Sequence, residues 1–434
     1  MMLEKDDGFR ALLLMAALVL FAAVALVAAS SCNATDRWPL TPIPGWQETL
    51  ESALPTPTEL PLLLPSATAT SAPLPAPSPL LETGTPSELP TVVALSTATA
   101  TQTPVPPAPS PTPTPARFNL REDLPALSLR DWPRPANDNG WGMHFLVNPY
   151  PSEEEIDRNI QRLLDLRIRW ALVLYGDEIQ LRKLAPRFRD AGIMVVWRKY
   201  LRPYERYYEW GRDIAILQEF GLPPYMQLYN EPAVPAEWDG KPIDQALFLE
   251  NLMDACEDVY NAGGYVGLQF VSEDWLRAAL REIKARQGER LFGRMFFVPH
   301  CYGMNHPPDY TEDINAVLSF RIFAMIFQEE IGFVPPMIVG EGGWKWGATD
   351  DARFPKVTDE LHRDYYVALF NSFRTGILPN GEPLPDYLFA FCPWLIAHKM
   401  DDNAFYDSFA GDRVLTIEAL KAIPPFTRRF TWGR

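Results

Sequence analysis

From about residue 141 the chain repeats one pattern eight times: a short apolar run, closed by a polar or aromatic residue. The runs cover 141–145, 170–174, 193–197, the stretch from Tyr225 that stops at Glu231, 265–271, 294–298, 337–340 and 387–392. They close near His144, Tyr175, Arg198, Glu231, Ser272, His300, Glu341 and Trp394. Amphipathic helical patterns fill the gaps. In the first, Ser152 caps with Glu155 three residues on, and Ile156, Ile160, Leu163 and Leu164 share one face. Others fit 177–191, 205–220, 243–261, 273–286, 311–330 and 358–375. Short apolar strands alternating with helices imply a parallel sheet. Eight such units predict an α/β fold, the (β/α)8 or TIM barrel, over residues 117–434. A doubly wound open sheet is the alternative, but no G-x-G-x-x-G follows the first strand, which argues against its dinucleotide-binding form.

The segment before this domain has a different character. Residues 1–10 form a short n-region with Lys5 and Arg10, and 11–29 are apolar without a charge. Such a run is long enough to cross a bilayer and longer than a typical signal-peptide core. Segment 11–32 therefore reads as an uncleaved signal-anchor, as a bacterial lipoprotein signal cut before Cys32, or as a cleaved signal peptide. Ala29-Ser30-Ser31-Cys32 matches the lipoprotein box apart from Ala29, where Leu is usual. Residues 33–116 form a Pro/Thr/Ser-rich linker: 39–115 holds 20 of the 44 prolines, and Lys and Arg are absent from Trp38 to Ala116. That composition favours an extended, semi-rigid stalk. The expectation is an exported domain held at the outer face of the cell membrane.

A formal net charge of −16 argues against a nucleic-acid partner, which needs a basic patch. The four cysteines (Cys32, Cys256, Cys301 and Cys392) show no metal-ligand spacing and make no disulfide framework. His306 and Asp309 lie in a proline-rich loop, also without ligand spacing. No metal and no cofactor are expected, and the domain is expected to be a monomer.

Barrel active sites lie at the carboxyl ends of the strands. Two of those ends carry glutamates: Glu231 within Asn230-Glu231-Pro232, and Glu341 after 337–340. They are 341 − 231 = 110 residues apart, about three strand-plus-helix units. Because proline disfavours helical angles in the residue before it, Glu231 is expected to be extended at its strand's end. Glycoside hydrolysis needs two such carboxyl groups, one to protonate the departing oxygen and one, in a retaining enzyme, to attack the anomeric carbon. Asp177, Ser272 and Glu273 read as helix-capping residues.

Asn230-Glu231-Pro232, His300-x-Tyr302, Glu341 in Val-Gly-Glu-Gly-Gly-Trp, and Trp394 together resemble glycoside hydrolase clan A, which includes the family-five cellulases and mannanases. The resemblance covers about residues 137–400. It implies that Glu231 is the general acid/base, Glu341 the nucleophile and Asn230 the ligand of the sugar 2-hydroxyl. It also implies that His300 and Tyr302 line the catalytic subsite and that Trp394 is a sugar platform. His144, Arg198, Trp197 and Trp344 are further candidates for substrate contact. Two departures stand out. Gly342-Gly343-Trp344 replaces the family's usual aromatic after the nucleophile, and its early-strand arginine has two imperfect matches, Arg169 and Arg198.

The expected activity is retaining hydrolysis of β-linked oligo- or polysaccharides. The rival readings are a tethered carbohydrate-binding pseudoenzyme with the same barrel, and a barrel enzyme of unrelated chemistry.

Overall fold

A computed structural model describes residues 116–433. The n-region, the hydrophobic segment, the stalk up to residue 115 and Cys32 lie outside the described residues. Among the described residues no helix is long and apolar enough to cross a membrane.

The barrel strands are β1 (Gly142–His144), β2 (Trp170–Tyr175), β3 (Met194–Lys199), β4 (Tyr225–Gln227), β5 (Tyr265–Leu268), β6 (Met295–Phe297), β8 (Met337–Val339) and β10 (Leu388–Phe391). They pair in parallel in that order. A parallel bridge between Trp141 and Phe391 joins the two edges, with His144 N–H donating to Pro393 O at 2.9 Å. The outcome is the eight-stranded parallel barrel expected from the repeats, rather than an open sheet.

Around it lie α1 (Glu153–Asp165), α2 (Glu178–Ala191), α3 (Trp210–Glu219), α4 (Gln245–Asn261), α5 (Glu273–Ala285), α6 (Phe320–Ile331), α7 (Asp359–Thr375) and α8 (Val414–Ala422). Ser152 and Glu155 form the expected capping box on α1, and Asp177 caps α2 through Gln180 N. Two helices start later than their patterns suggest. Arg202 N–H donates to the Glu205 carboxylate, so the chain turns at Pro203 and α3 begins at Trp210. Asp313 accepts from Asn315 N–H and from the Tyr310 hydroxyl, and this local bonding competes with helix until Phe320. The eighth helix, α8, has no counterpart among the expected ones.

Strand side chains alternate between two cores. Trp170, Leu172, Val196, Tyr225, Tyr265, Phe296, Val298 and Ile338 fill the barrel interior. Ala171, Val173, Val195, Trp197, Met226, Val266 and Phe297 face the helices. The same period of two, continued upward, decides which polar residues enter the mouth. Arg198 follows Val196 by two, Gln227 follows Tyr225, Gln269 continues Tyr265 and Gly267, and His300 follows Val298.

Two short strands extend the barrel wall beyond β6 and β8: β7 (His300–Tyr302) and β9 (Glu341–Gly343). They pair in parallel, with His300 opposite Glu341 and Tyr302 opposite Gly343. Glu341 thus opens a second strand segment instead of closing the first. Gly340 makes the break possible. A Cβ there would lie 2.5 Å from Val298 Cγ1 and 2.6 Å from Leu172 Cδ1, so only glycine fits over the interior core.

Candidate active site

Glu341 lies at the bottom of the mouth, its side chain 7% exposed. Arg198 Nη1 from β3 donates to its Oε1 at 2.5 Å, and the Tyr302 hydroxyl from β7 donates to its Oε2 at 2.9 Å. His300 Nδ1 lies 3.5 Å from Oε2, and His144 Nε2 from β1 lies 3.8 Å from Oε1. Burial alone would raise the pKa of this carboxyl. The charges of His300 and Arg198 beside it, with the Tyr302 hydrogen bond, outweigh burial and hold it well below the usual carboxylate range. His144 is driven the other way: burial pushes it down to about 3, so it is a neutral imidazole at neutral pH. Glu341's ionisation therefore depends on Arg198, His300 and Tyr302.

Glu231 is placed differently. β4 ends at Gln227, and Glu231 sits in the loop beyond it with φ of 38°. The expected extended backbone is corrected to the left-handed region. The cause is a local capture: Glu231 N–H donates to Gln269 Oε1 at 2.5 Å, and its carbonyl accepts from Val234 N–H at 2.8 Å. A non-glycine residue in this region stores about 1–3 kcal/mol, held by the surrounding bonds. The Glu231 carboxylate lies 2.6 Å from His300 Nδ1, and its side chain is 23% exposed.

One ligand atom each of Glu231, His300 and Glu341 lie within 4.8 Å of one another. Residues from strand ends four, six and seven of the barrel thus meet at one point. The three also form a conceivable metal donor set, with two carboxylates and an imidazole. Both Glu341 oxygens are engaged by Arg198 and Tyr302, and Glu231 Oε1 pairs with His300 Nδ1, while His300 Nε2 has no hydrogen-bond partner among the described residues.

The remaining expected residues divide between the mouth and the core. Asn230 is buried beside Glu231, its Nδ2 donating to Glu237 Oε1 at 2.9 Å. Trp394 is half-buried, its ring centred 4.4 Å from that of His144, and its Nε1 donates to Asp401 at 2.6 Å. Of the two arginines the sequence left open, Arg198 is the one that bonds Glu341. Trp197 and Trp344 are corrected. Trp197 has the opposite parity to Arg198 and is fully buried against Tyr175 and Phe188. Trp344 is 1% exposed, with its Nε1 bonded to His306 O and its backbone N–H to the Tyr366 hydroxyl. A stacking platform needs an open ring face, and neither has one.

Lys199 is buried between the rings of Tyr175 and Tyr207 and bonds Gly176 O. His306 is held within its loop by Asn315 O at 2.7 Å and Asp351 at 3.2 Å. Cys256, Cys301 and Cys392 are buried, and burial pushes Cys301 and Cys392 up to about 12, the behaviour of inert thiols. Gln269, Glu237 and Asp401 escaped the sequence reading. Gln269 was within reach of the strand alternation carried past β5. Glu237 and Asp401 lie in loops where no periodicity applies.

No family model matches the chain, and no curated protein matches it. Several of the solved structures it resembles are glycosidases. A family 39 glycoside hydrolase from the gut symbiont Bacteroides cellulosilyticus is 12% identical, with 67% of this chain and 64% of that one covered and a TM-score of 0.44. This chain thus spans under two thirds of that protein's length. A β-1,3-glucanase and allergen of Cryptomeria japonica pollen is 10% identical over 62% of this chain and 95% of that one, with a TM-score of 0.41. A family 51 α-L-arabinofuranosidase from Bifidobacterium longum is 10% identical over 66% and 73%, with a TM-score of 0.39. A D-allulose 3-epimerase from Methylomonas also matches, at 11% identity over 49% of this chain and 73% of that one, with a TM-score of 0.31. Likenesses this distant do not decide a reaction, so the chemistry is read from the site's own residues.

Proposed function

We propose that residues 117–434 form a retaining glycoside hydrolase acting on β-linked oligo- or polysaccharides. The observation that carries this reading is the pairing of Glu231 and Glu341. Their nearest carboxylate oxygens lie within 4.8 Å. Retaining enzymes hold their two carboxyl groups about 5–5.5 Å apart, whereas inverting enzymes leave about 6.5–9.5 Å for a water.

Environment supports this division of roles. Glu341, buried and kept ionised, is the nucleophile. An oxygen of its carboxylate attacks the anomeric carbon as the bond to the leaving oxygen breaks. Glu231, nearer solvent, gives its proton to that oxygen. It then takes a proton from water, which attacks the anomeric carbon and frees Glu341. His300, touching both carboxylates, keeps them in register through the two half-reactions. Trp394 over His144 offers a half-open indole face for a sugar ring.

Replacing Glu341 with Ala is expected to abolish hydrolysis in a glycan and aryl-glycoside panel. Azide should then restore turnover through a glycosyl azide of inverted configuration. Undiminished hydrolysis by that variant would overturn the assignment, and binding without turnover by the unaltered protein would favour the pseudoenzyme. We further propose that the domain is exported and tethered through segment 11–32. Support comes from the uncharged apolar run and the linker composition. Activity found only in the cytosolic fraction of the native cell would overturn it.

A further inference from the structure

Glu237 is a third carboxylate at the mouth, placed by a single turn of 3-10 helix, Pro235–Trp238, directly after Asn230-Glu231-Pro232. The turn is pinned from both sides. Trp238 Nε1 donates to Pro232 O at 2.8 Å, and Arg202 bridges Glu237 at 3.2 Å and Asp239 at 2.8 Å. The Glu237 side chain is 19% exposed, and its Oε1 accepts from Asn230 Nδ2 at 2.9 Å. On the other side of the same amide, Gln227 Nε2 donates to Asn230 Oδ1 at 3.3 Å.

Glu237 Oε1 accepts on one edge of the amide and Gln227 Nε2 donates to the other, so the edge facing Glu237 is the nitrogen. The flip of Asn230, free in an isolated side chain, is thereby decided. The amide nitrogen carries two protons, and Glu237 takes one. We propose that Glu237 is a positioning residue: it orients the Asn230 amide so that the second proton is presented to the 2-hydroxyl of the sugar in the catalytic subsite. This inference rests on the glycosidase reading above.

The test compares Glu237→Ala in the native background and in Asn230→Ala, on an aryl glycoside and its 2-deoxy counterpart. Losing the oriented hydrogen bond to the 2-hydroxyl on the full sugar should lower kcat/KM by about ten-fold. In the Asn230→Ala background, or on the 2-deoxy sugar, the further loss should be under about two-fold, because residues acting through one contact are not additive. Should the alanine variant fail to fold, Glu237→Gln keeps the volume. It can present either amide edge, so the same pattern is expected with a smaller loss of about three-fold. Equal losses in both backgrounds, equal losses on both sugars, or no loss would overturn the proposal. Wild-type turnover accompanied by any of these results strikes Glu237 alone. A wild type inactive on every glycoside strikes the glycosidase reading and this inference together.

Discussion

Arg198 Nη1 sits 2.5 Å from Glu341 Oε1, which ties the end of the third barrel strand to the wall above the seventh. This ion pair makes a buried carboxylate compatible with a charge. Glu341 has a depressed pKa, so the nucleophile is active above that value and lost as pH falls through it. Removing the cation in Arg198→Met should move the acidic limb of the kcat/KM profile upward by about one pH unit or more. At neutral pH the rate should fall about 10–100-fold, since the site also loses a donor. An acidic limb that stays in place would show that His300 and Tyr302 suffice.

Glu231→Gln removes the transferable proton while keeping the shape. Hydrolysis of substrates with poor leaving groups should fall about 10²–10⁴-fold, the typical range for general acid catalysis. Aryl glycosides with strongly activated leaving groups need little protonation, so their glycosylation step should be largely retained. Stopped-flow measurement of the aryl burst separates the two steps. Equal losses across leaving groups would assign Glu231 another role.

Two fully buried histidines give stability a pH dependence of definite sign. Burial lowers His144 and His362 to about 3. The unfolded chain protonates these groups near 6.5, while the folded protein does not. The unfolded state thus binds more protons as pH falls, and stability declines below about pH 6.5 by up to about 1.4 kcal/mol per unit for each histidine. His300 has a raised pKa, so its contribution is complete below 6.5 and is lost on the alkaline side as pH passes its folded value. Chemical denaturation at pH 7 and pH 5 should show the decline. A flat profile between them would place these imidazoles in contact with water.

Chelation provides a fourth check. Both Glu341 oxygens are bonded to Arg198 and Tyr302, His300 Nδ1 is bonded to Glu231, and the proposed mechanism calls for no ion. Prolonged treatment with EDTA should therefore leave kcat and KM unchanged. A loss of activity restored by a divalent ion would reassign this cluster as a metal centre.

The eight barrel strands and the helix-capping box at Ser152 and Glu155 were legible in the sequence, because each depends on local periodicity or on neighbours three residues apart. The chain also marked Glu231 and Glu341 as the two carboxylates to watch, since both follow short apolar runs. Alternation, applied strictly, would have separated Arg198 from Trp197 and recovered Gln269. Trp344, Lys199 and the left-handed turn at Glu231 were beyond reach. The first two are covered by residues such as Tyr366 and Tyr207, which arrive from other elements. The turn depends on Gln269, contributed by the next strand.

Local periodicity sets the repeating units, the order of the strands and the residue types at their ends. Which of those residues meet follows only from closing the barrel. Barrel closure brings together positions 143 residues apart in Arg198 and Glu341, and 69 apart in Glu231 and His300. A pKa depends on the distance between charges and on the water excluded around them. For that reason the division of labour between the two glutamates is a property of the closed barrel and of no segment within it.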